Sequence, residues 1–489
     1  MKNLYSFALL VRSNIAIHTI TTFSLTFIAL MQATITARYL GPDKLALVAV
    51  FFILLGLIEP LLEFGFNKAL IQRQKLKDMH VNVAFTVTLL KGFLVSIVIY
   101  FFSESFETIF EVQGVAEVLI ILSLVPFLKA SRNMYAVILH RSLNFMLYGK
   151  WMILSAVLKI ICIIISLNIY PEAISVAFAL VISELFSTIA SYIFVNKKAK
   201  IIFSFKYFMD LWGYGKWVFL ATLVAIAERQ GAQILTVKLL SPYELSLLYI
   251  TLQLVKIPSF ISNTIKGFMF PNFSRLLSLP NKQKNLYQAG MIVLLISFGY
   301  FILLAFTIGE QAIVILLGSE WTGLGTLFLL MVLSKTFDSL ASLDLSLMNG
   351  IGYPNIAFIN HTIKAIMIVS CCLVLIERFQ LYGVGFSFII ASVFSWSVSR
   401  FLVKKRAPIV NNIKASSILP IFLGFTFSII AWMFLDIKEE VLYSPINLIL
   451  TIILVSYVYF LLVYLVSCAI QRKFILINDF LNHINNMRQ

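Results

Sequence analysis

Glu59, Glu63, Glu184, Glu228, Asp338 and Asp344 stand inside long apolar stretches of this chain, and so do Lys159, Arg229, Lys256, Lys335 and Lys364. A charge in membrane hydrocarbon is expensive unless it faces protein or water, so each is a functional candidate by default. Lys and Arg lining a hydrated cleft can meet an anionic group by Coulomb attraction and charge-assisted hydrogen bonds. Arg229, in the middle of its stretch, is the first candidate for such a site, followed by Lys256, Lys159, Lys364 and Lys335. Lys91 and Lys216 lie nearer the ends of theirs, where a lysine reaches back to water along its own stem.

Spacing offers structural readings beside the functional one. Lys335 and Asp338 are three residues apart and can neutralise each other on one helix face. Adjacent Glu228 and Arg229 cannot face each other, so one of them needs a partner elsewhere. Glu59 and Glu63 sit one helical turn apart with Pro60 between. Like charges so placed repel, and they could hold a proton or a sodium ion, meet cations of a neighbouring helix, or line a polar cleft. Pro60 lacks a backbone donor, predicting a kink that frees carbonyls; Pro258 predicts a matching kink 198 residues later. No metal site is expected: Cys162, Cys371, Cys372 and Cys468 lie in apolar stretches without ligand spacing, and the histidines are scattered. No catalytic residues and no resident cofactor are expected either, with Na+ or H+ coupling the only role for a small ion. The phosphate-cradling G-x-x-x-x-G-K-[ST] pattern is missing, which excludes ATP hydrolysis of that kind.

The elements that must carry these charges are membrane helices. The chain has 489 residues, of which 60% are hydrophobic and 12% charged, with a mean hydropathy of +0.96. Such a composition leaves too few charges to cover a soluble surface. A crossing takes about 20 apolar residues, and fourteen stretches qualify: 14–36, 45–66, 83–103, 115–135, 149–168, 174–195, 213–236, 246–268, 289–309, 325–347, 356–376, 383–402, 417–436 and 446–469. The first reads as a retained span, since no small-residue cleavage site follows it. The net charge of +16 gathers in short loops such as Arg73/Lys75/Lys77, Lys197/Lys198/Lys200 and Lys404/Lys405/Arg406. The opposite side holds only Arg38, Lys44, Lys238, Arg378 and Lys438, so both termini are placed in the cytoplasm. Basic loops at a membrane surface also account for the charge without nucleic acid, for which no binding motif is present.

Two segments match each other. LGPDKLAL at 40–47 recurs as LSPYELSL at 240–247, so that Leu40, Pro42, Leu45, Leu47 and Leu54 correspond to Leu240, Pro242, Leu245, Leu247 and Leu254. A repeat at this interval predicts two similar bundles, each with an even number of spans and the same orientation. The expected organisation is an all-α polytopic protein: a six-helix bundle at 1–196, a cytoplasmic linker at 197–212 that lies as an interfacial amphipathic stretch, a second six-helix bundle at 213–406, and two additional helices with a cytoplasmic tail at 407–489.

Segment 37–73, ARYLGPDKLALVAVFFILLGLIEPLLEFGFNKALIQR, resembles the hallmark region of bacterial polysaccharide flippases, with an A-R-x-L-G-P hairpin in which Arg38, Gly41 and Pro42 are the motif residues. Segment 238–276, which contains Pro242 and ends in FPNFSRL, is similar to the family's second hairpin. LLGSEWTGLGTLF and LMNGIGYPNIA, within 316–357, resemble its later motifs. The family lies within the multidrug/oligosaccharidyl-lipid/polysaccharide exporter superfamily. The resemblance implies fourteen helices with a two-bundle core and alternating access in a bacterial inner membrane. The implied substrate is an undecaprenyl-pyrophosphate-linked glycan, moved from the cytoplasmic to the periplasmic leaflet for O-antigen, capsule or exopolysaccharide assembly. A downstream polysaccharide polymerase and chain-length machinery are the implied partners. One departure stands out: Tyr353 occupies a position where the family commonly has a basic residue, and no charge falls within 349–355.

Two other functions compete. A Na+- or H+-coupled exporter of drugs or metabolites shares the two-bundle plan, but a cavity for cationic drugs favours acids, and the second half has an excess of intramembrane cations. A membrane-embedded glycan polymerase or ligase needs a large periplasmic loop, whereas the loops here are short.

Overall fold

The computed structural model describes residues 2–62, 66–73, 75–139, 145–407 and 444–469, and these are helical almost throughout, with no strand among them. In hydrocarbon every backbone N–H and C=O must be satisfied within the chain, and helices do this locally. Eight helices among the described residues are long and apolar enough to cross a membrane. The chain is an all-α polytopic membrane protein. It forms two compact units, Met1–Ile250 and Thr251–Gln489.

The first unit contains α1 (Lys2–Leu62), α2 (Phe66–Gln72), α3 (Asp78–Phe110), α4 (Val115–Leu122), α5 (Leu124–Ala130), α6 (Met134–Val137), α7 (Phe145–Ile169), α8 (Ala173–Phe194), α9 (Phe205–Leu239) and most of α10 (Pro242–Leu254). α1 is interrupted at Gly41, whose φ of 66° is open to glycine at no steric cost. Its apolar run, Thr19–Ile58, has 40 residues. At 1.5 Å per residue that is about 60 Å, twice the hydrocarbon thickness, so the break at Gly41 divides two crossings.

Proline explains two further breaks. α4 stops at Leu122 and α5 starts at Leu124, because Pro126 has no N–H to bond the Leu122 carbonyl. The expected kink at Pro258 occurs by the same logic. α10 ends at Leu254, whose carbonyl Pro258 leaves without its helical donor, and the next helix starts at Lys256.

The matching hairpin segments meet. Ser246 Oγ donates to the carbonyl of Pro42 and lies 3.1 Å from that of Pro242. Leu40, Leu45 and Leu54 are buried, as are Leu240, Leu245, Leu247 and Leu254. Phe52 stacks on Tyr249 with centroids 5.7 Å apart.

The second unit holds α11 (Lys256–Arg275), α12 (Pro280–Leu317), α13 (Leu324–Gly350), α14 (Pro354–Arg406) and α15 (Pro445–Ala469). Its core joins Met269 and Phe273 of α11, Tyr287, Met291 and Phe298 of α12, and Leu343 and Met348 of α13. α14 breaks at Gln380. Its two legs are tied where Asn360 Nδ2 donates to Ser395 O and Ser395 Oγ to Asn360 Oδ1, each at 2.7 Å. α15 packs on α12 through Tyr459, which donates to Ile296 O at 2.8 Å. The stretch 417–436 lies outside the described residues.

One device occurs in each unit. Gly114 (φ 84°) and Gly323 (φ 86°) occupy the position just before α4 and α13. Glu107 accepts the Ala116 N–H at 2.8 Å, and Glu310 accepts the Gly325 N–H at 2.6 Å together with that of Gly323. A carboxylate thus satisfies the orphan donors at each helix start.

Candidate functional site

Each unit carries a partly buried charge cluster in which cations outnumber acids. In the first unit the acid is Glu184, midway along α8, with 15% of its side chain exposed. Arg132 donates to one carboxylate oxygen, and Lys129 Nζ lies 3.7 Å from the other. Lys159 of α7 adds a third positive charge within electrostatic range of the same group. The α8 face that presents Glu184 also fixes its partners. Thr188 Oγ1 donates to Leu128 O at 2.8 Å, Tyr192 OH to Ser131 O at 2.9 Å, and the Asn133 N–H to Ser191 Oγ at 2.9 Å. These bonds hold the corner after α5 against α8, so Lys129 and Arg132 turn inward. The Arg132 guanidinium lies 5.7 Å from the Trp151 ring centre, and Trp151 is itself held by donation to Ser187 O at 3.1 Å. Arg132 Nε is buried with no hydrogen-bond partner.

In the second unit the acid is Asp338 of α13. Lys335, one turn earlier, lies 3.0 Å from Oδ2, and Lys364 of α14 lies 2.8 Å from Oδ1. Ser392, on the other leg of α14, also meets this carboxylate and pairs with Ser334 at 2.9 Å. The expected Lys335–Asp338 pairing is therefore present, and Lys364 joins it.

A third group sits on the same helices. Asp344 is fully buried and accepts from Tyr287 of α12 and, at 3.0 Å, from Ser399 of α14. Arg400 donates to Tyr287 OH at 2.9 Å and lies 3.6 Å from Asp344. With one acid, one cation and filled hydrogen bonds, it reads as a clamp joining α12, α13 and α14.

The other candidates fall elsewhere. Lys256 stands exposed at the start of α11, its ammonium bonded to Gln253, and it is not among the cations that meet Asp338. Glu228 is half-buried on α9. The side chains of Arg229 and Glu59, and the whole of Glu63, lie outside the described residues. The inward-turned pair Lys129 and Arg132 was not among the candidates read from sequence. Both sit at the end of an apolar stretch, where snorkelling is the ordinary expectation, and only the hydroxyl-bearing face of α8 redirects them.

The sequence profile of the polysaccharide biosynthesis protein family matches residues 35–325, more than half of the chain. The chain belongs to this family. The matched region holds both hairpin segments and the Glu184 cluster. Lipopolysaccharide biosynthesis protein WzxC of Escherichia coli (strain K12) is 17% identical over 406 residues, 82% of each chain. Succinoglycan biosynthesis transport protein ExoT of Rhizobium meliloti (strain 1021) is 20% identical over 350 residues, 71% of this chain and 69% of its own. Among solved structures, lipid II flippase MurJ in an inward closed conformation superimposes with a TM-score of 0.77 at 16% identity, covering 94% of this chain and 99% of its own. An inward-facing multidrug resistance MATE family transporter of the MOP superfamily gives 0.64 at 15% identity, with 81% and 100% covered. At these identities the likeness is one of fold, shared by flippases and drug exporters alike, and the choice between them rests on the charges of this chain.

Proposed function

We propose that this family member is a transporter that moves a polyprenyl-pyrophosphate-linked oligosaccharide between leaflets of a bacterial inner membrane by alternating access, with both termini in the cytoplasm. The carrying observation is the surplus of positive charge: one carboxylate against three cations at Glu184, and one against two at Asp338. A pyrophosphate entering a low-dielectric passage needs compensation that water no longer gives. Cations already partly neutralised by a resident acid supply it without an unpaired cluster in the empty protein. A site for cationic drugs needs the opposite balance. The sequence arrangement of fourteen spans, with six-helix repeats at 1–196 and 213–406, belongs to this reading, as do substrate contact by Arg229 and ion coupling by Glu59 and Glu63. The names of WzxC, ExoT and MurJ agree with it in substrate class, and O-antigen, capsule and exopolysaccharide units all fit.

The test is reconstitution. Purified protein in liposomes should expose a fluorescent polyprenyl-pyrophosphate oligosaccharide to a membrane-impermeant quencher, and Arg132→Ala with Lys159→Ala should slow this at least ten-fold in folded protein. Failure to move the glycan, with extrusion of a cationic dye instead, would establish the exporter reading.

A further inference from the structure

Residues 195–204, between α8 and α9, form a non-helical strap bound along α3. Lys197 Nζ pairs with Asp78, the Lys200 N–H donates to Asn82 Oδ1 at 3.0 Å, and Thr86 Oγ1 exchanges hydrogen bonds with the N–H and carbonyl of Ile202 at 2.9 Å each. From the other side, Asn133 takes the Ala199 N–H at 3.2 Å and donates to Lys197 O at 2.9 Å. The attachment points Asp78, Asn82 and Thr86 advance along one face of α3. Eight residues of helix rise about 12 Å, so the strap climbs two turns from the start of α3. α9 then returns it: Tyr207 meets His80 edge-on at 4.7 Å, and Asp210 pairs with Arg73 at 2.9 Å.

At the apex, alternate side chains turn outward. Ile201 is 69% exposed, Phe203 59% and Phe205 63%, while Lys198, Lys200 and Lys206 beside them are exposed as well. Level fixes what these residues meet. Large apolar residues of α3 become exposed from Leu90 onward, one turn beyond Thr86, and those of α8 run to Ile193, just before the strap. The apex therefore continues the lipid-facing belt of two membrane helices, with exposed lysines beside it. Three exposed apolar side chains held rigidly beside three exposed lysines match an acyl surface edged by phosphate.

We infer that the strap and the first turn of α9 form a lipid-docking wedge: Ile201, Phe203 and Phe205 enter the acyl–headgroup boundary, and Lys198, Lys200 and Lys206 recruit anionic phospholipid headgroups. Lys197 takes no part, since Asp78 and the ring of Tyr135, 5.0 Å away, already hold it.

The experiment uses the full chain with its four native cysteines changed to serine and a bimane label on Phe203→Cys, reconstituted in mixed vesicles. Nitroxide-bearing phosphatidylglycerol should quench the label more strongly than nitroxide-bearing phosphatidylcholine, by about five-fold for each lysine that acts. Lys198→Gln, Lys200→Gln and Lys206→Gln combined should bring the two lipids to parity. Ile201→Cys provides a second labelled position if the first folds poorly. No quenching by either lipid overturns the wedge, and equal quenching unaffected by the glutamine changes overturns the headgroup preference. A label shielded in native membranes but bare in pure lipid vesicles also overturns it, in favour of an acidic protein partner.

Discussion

Replacing Asp338 by Asn removes the single acid between Lys335 and Lys364 while keeping its shape. Lys364 Nζ lies 2.8 Å and Lys335 Nζ 3.0 Å from separate carboxylate oxygens, and the side-chain exposures are 10% for Lys364, 15% for Asp338 and 29% for Lys335. With charge centres about 4 Å apart and an effective dielectric near 20, each pair attracts by about 4 kcal/mol. Desolvation of the three ions offsets most of this, so the intact triad adds little net stability. The asymmetry appears on deletion. Asp338→Asn leaves two ammonium groups repelling each other with no counterion, and breaking a buried pair in this way costs about 3–5 kcal/mol.

Titration of the purified protein from mild detergent into SDS, read by intrinsic fluorescence, should show this loss, alongside reduced protein in the membrane. Asp338→Asn combined with Lys364→Met should recover most of it, because Lys335 is the most exposed member and can reach water alone. Asp338→Asn combined with Lys335→Met should recover less, leaving Lys364 buried. Wild-type stability in Asp338→Asn would rule out a charge-balancing role for this acid, and so would double variants no more stable than the single one.

Ser246→Ala should cost about 1–3 kcal/mol in the same titration, since it leaves the buried Pro42 carbonyl without its side-chain donor where the matched segments meet. An effect below 0.5 kcal/mol, in order-of-magnitude terms the scatter of a neutral surface change, would count against the contact. Gly383→Ala should be worse: a Cβ there would stand 2.2 Å from the Leu375 carbonyl oxygen across the α14 break. Backbone has to move, so the monodisperse fraction on size-exclusion chromatography should fall sharply, whereas Gly213→Ala, with nothing within 4 Å of its added Cβ, should leave it unchanged.

Local features were legible in the sequence. Apolar length gave the helices, Pro258 gave the break at Leu254, and three-residue spacing gave the Lys335–Asp338 pair. Features that depend on how helices pack were not. Nothing near Lys364 in sequence says that α14 lies against α13, and Pro126 breaks an apolar stretch that otherwise reads as one span. Glu107 looks like a water-facing loop acid until its carboxylate is seen to cap the start of α4. The linker reads as an amphipathic stretch, but its alternation is that of an extended strap, because Asn82, Thr86 and Asn133 bind its backbone and deny it helical hydrogen bonds.

The two charge clusters solve one electrostatic problem with the acid in different places. In the first unit Glu184 stands on α8 and its cations come from the end of α5 and from α7. In the second, Asp338 shares α13 with Lys335 and draws Lys364 from α14. An unneutralised set of lysines and arginines would destabilise the empty protein, and a fully neutralised one would offer an anion nothing. One carboxylate among two or three cations lies between these limits, and on the reading proposed here that residual charge is what a passing pyrophosphate meets. The acids therefore set the residual charge as much as the cations do. Glu184→Gln should raise the affinity of folded protein for inorganic pyrophosphate while lowering its stability, whereas Arg132→Ala should lower that affinity. If both substitutions leave pyrophosphate binding unchanged in calorimetric titration, the clusters are internal struts and the substrate meets its charge elsewhere.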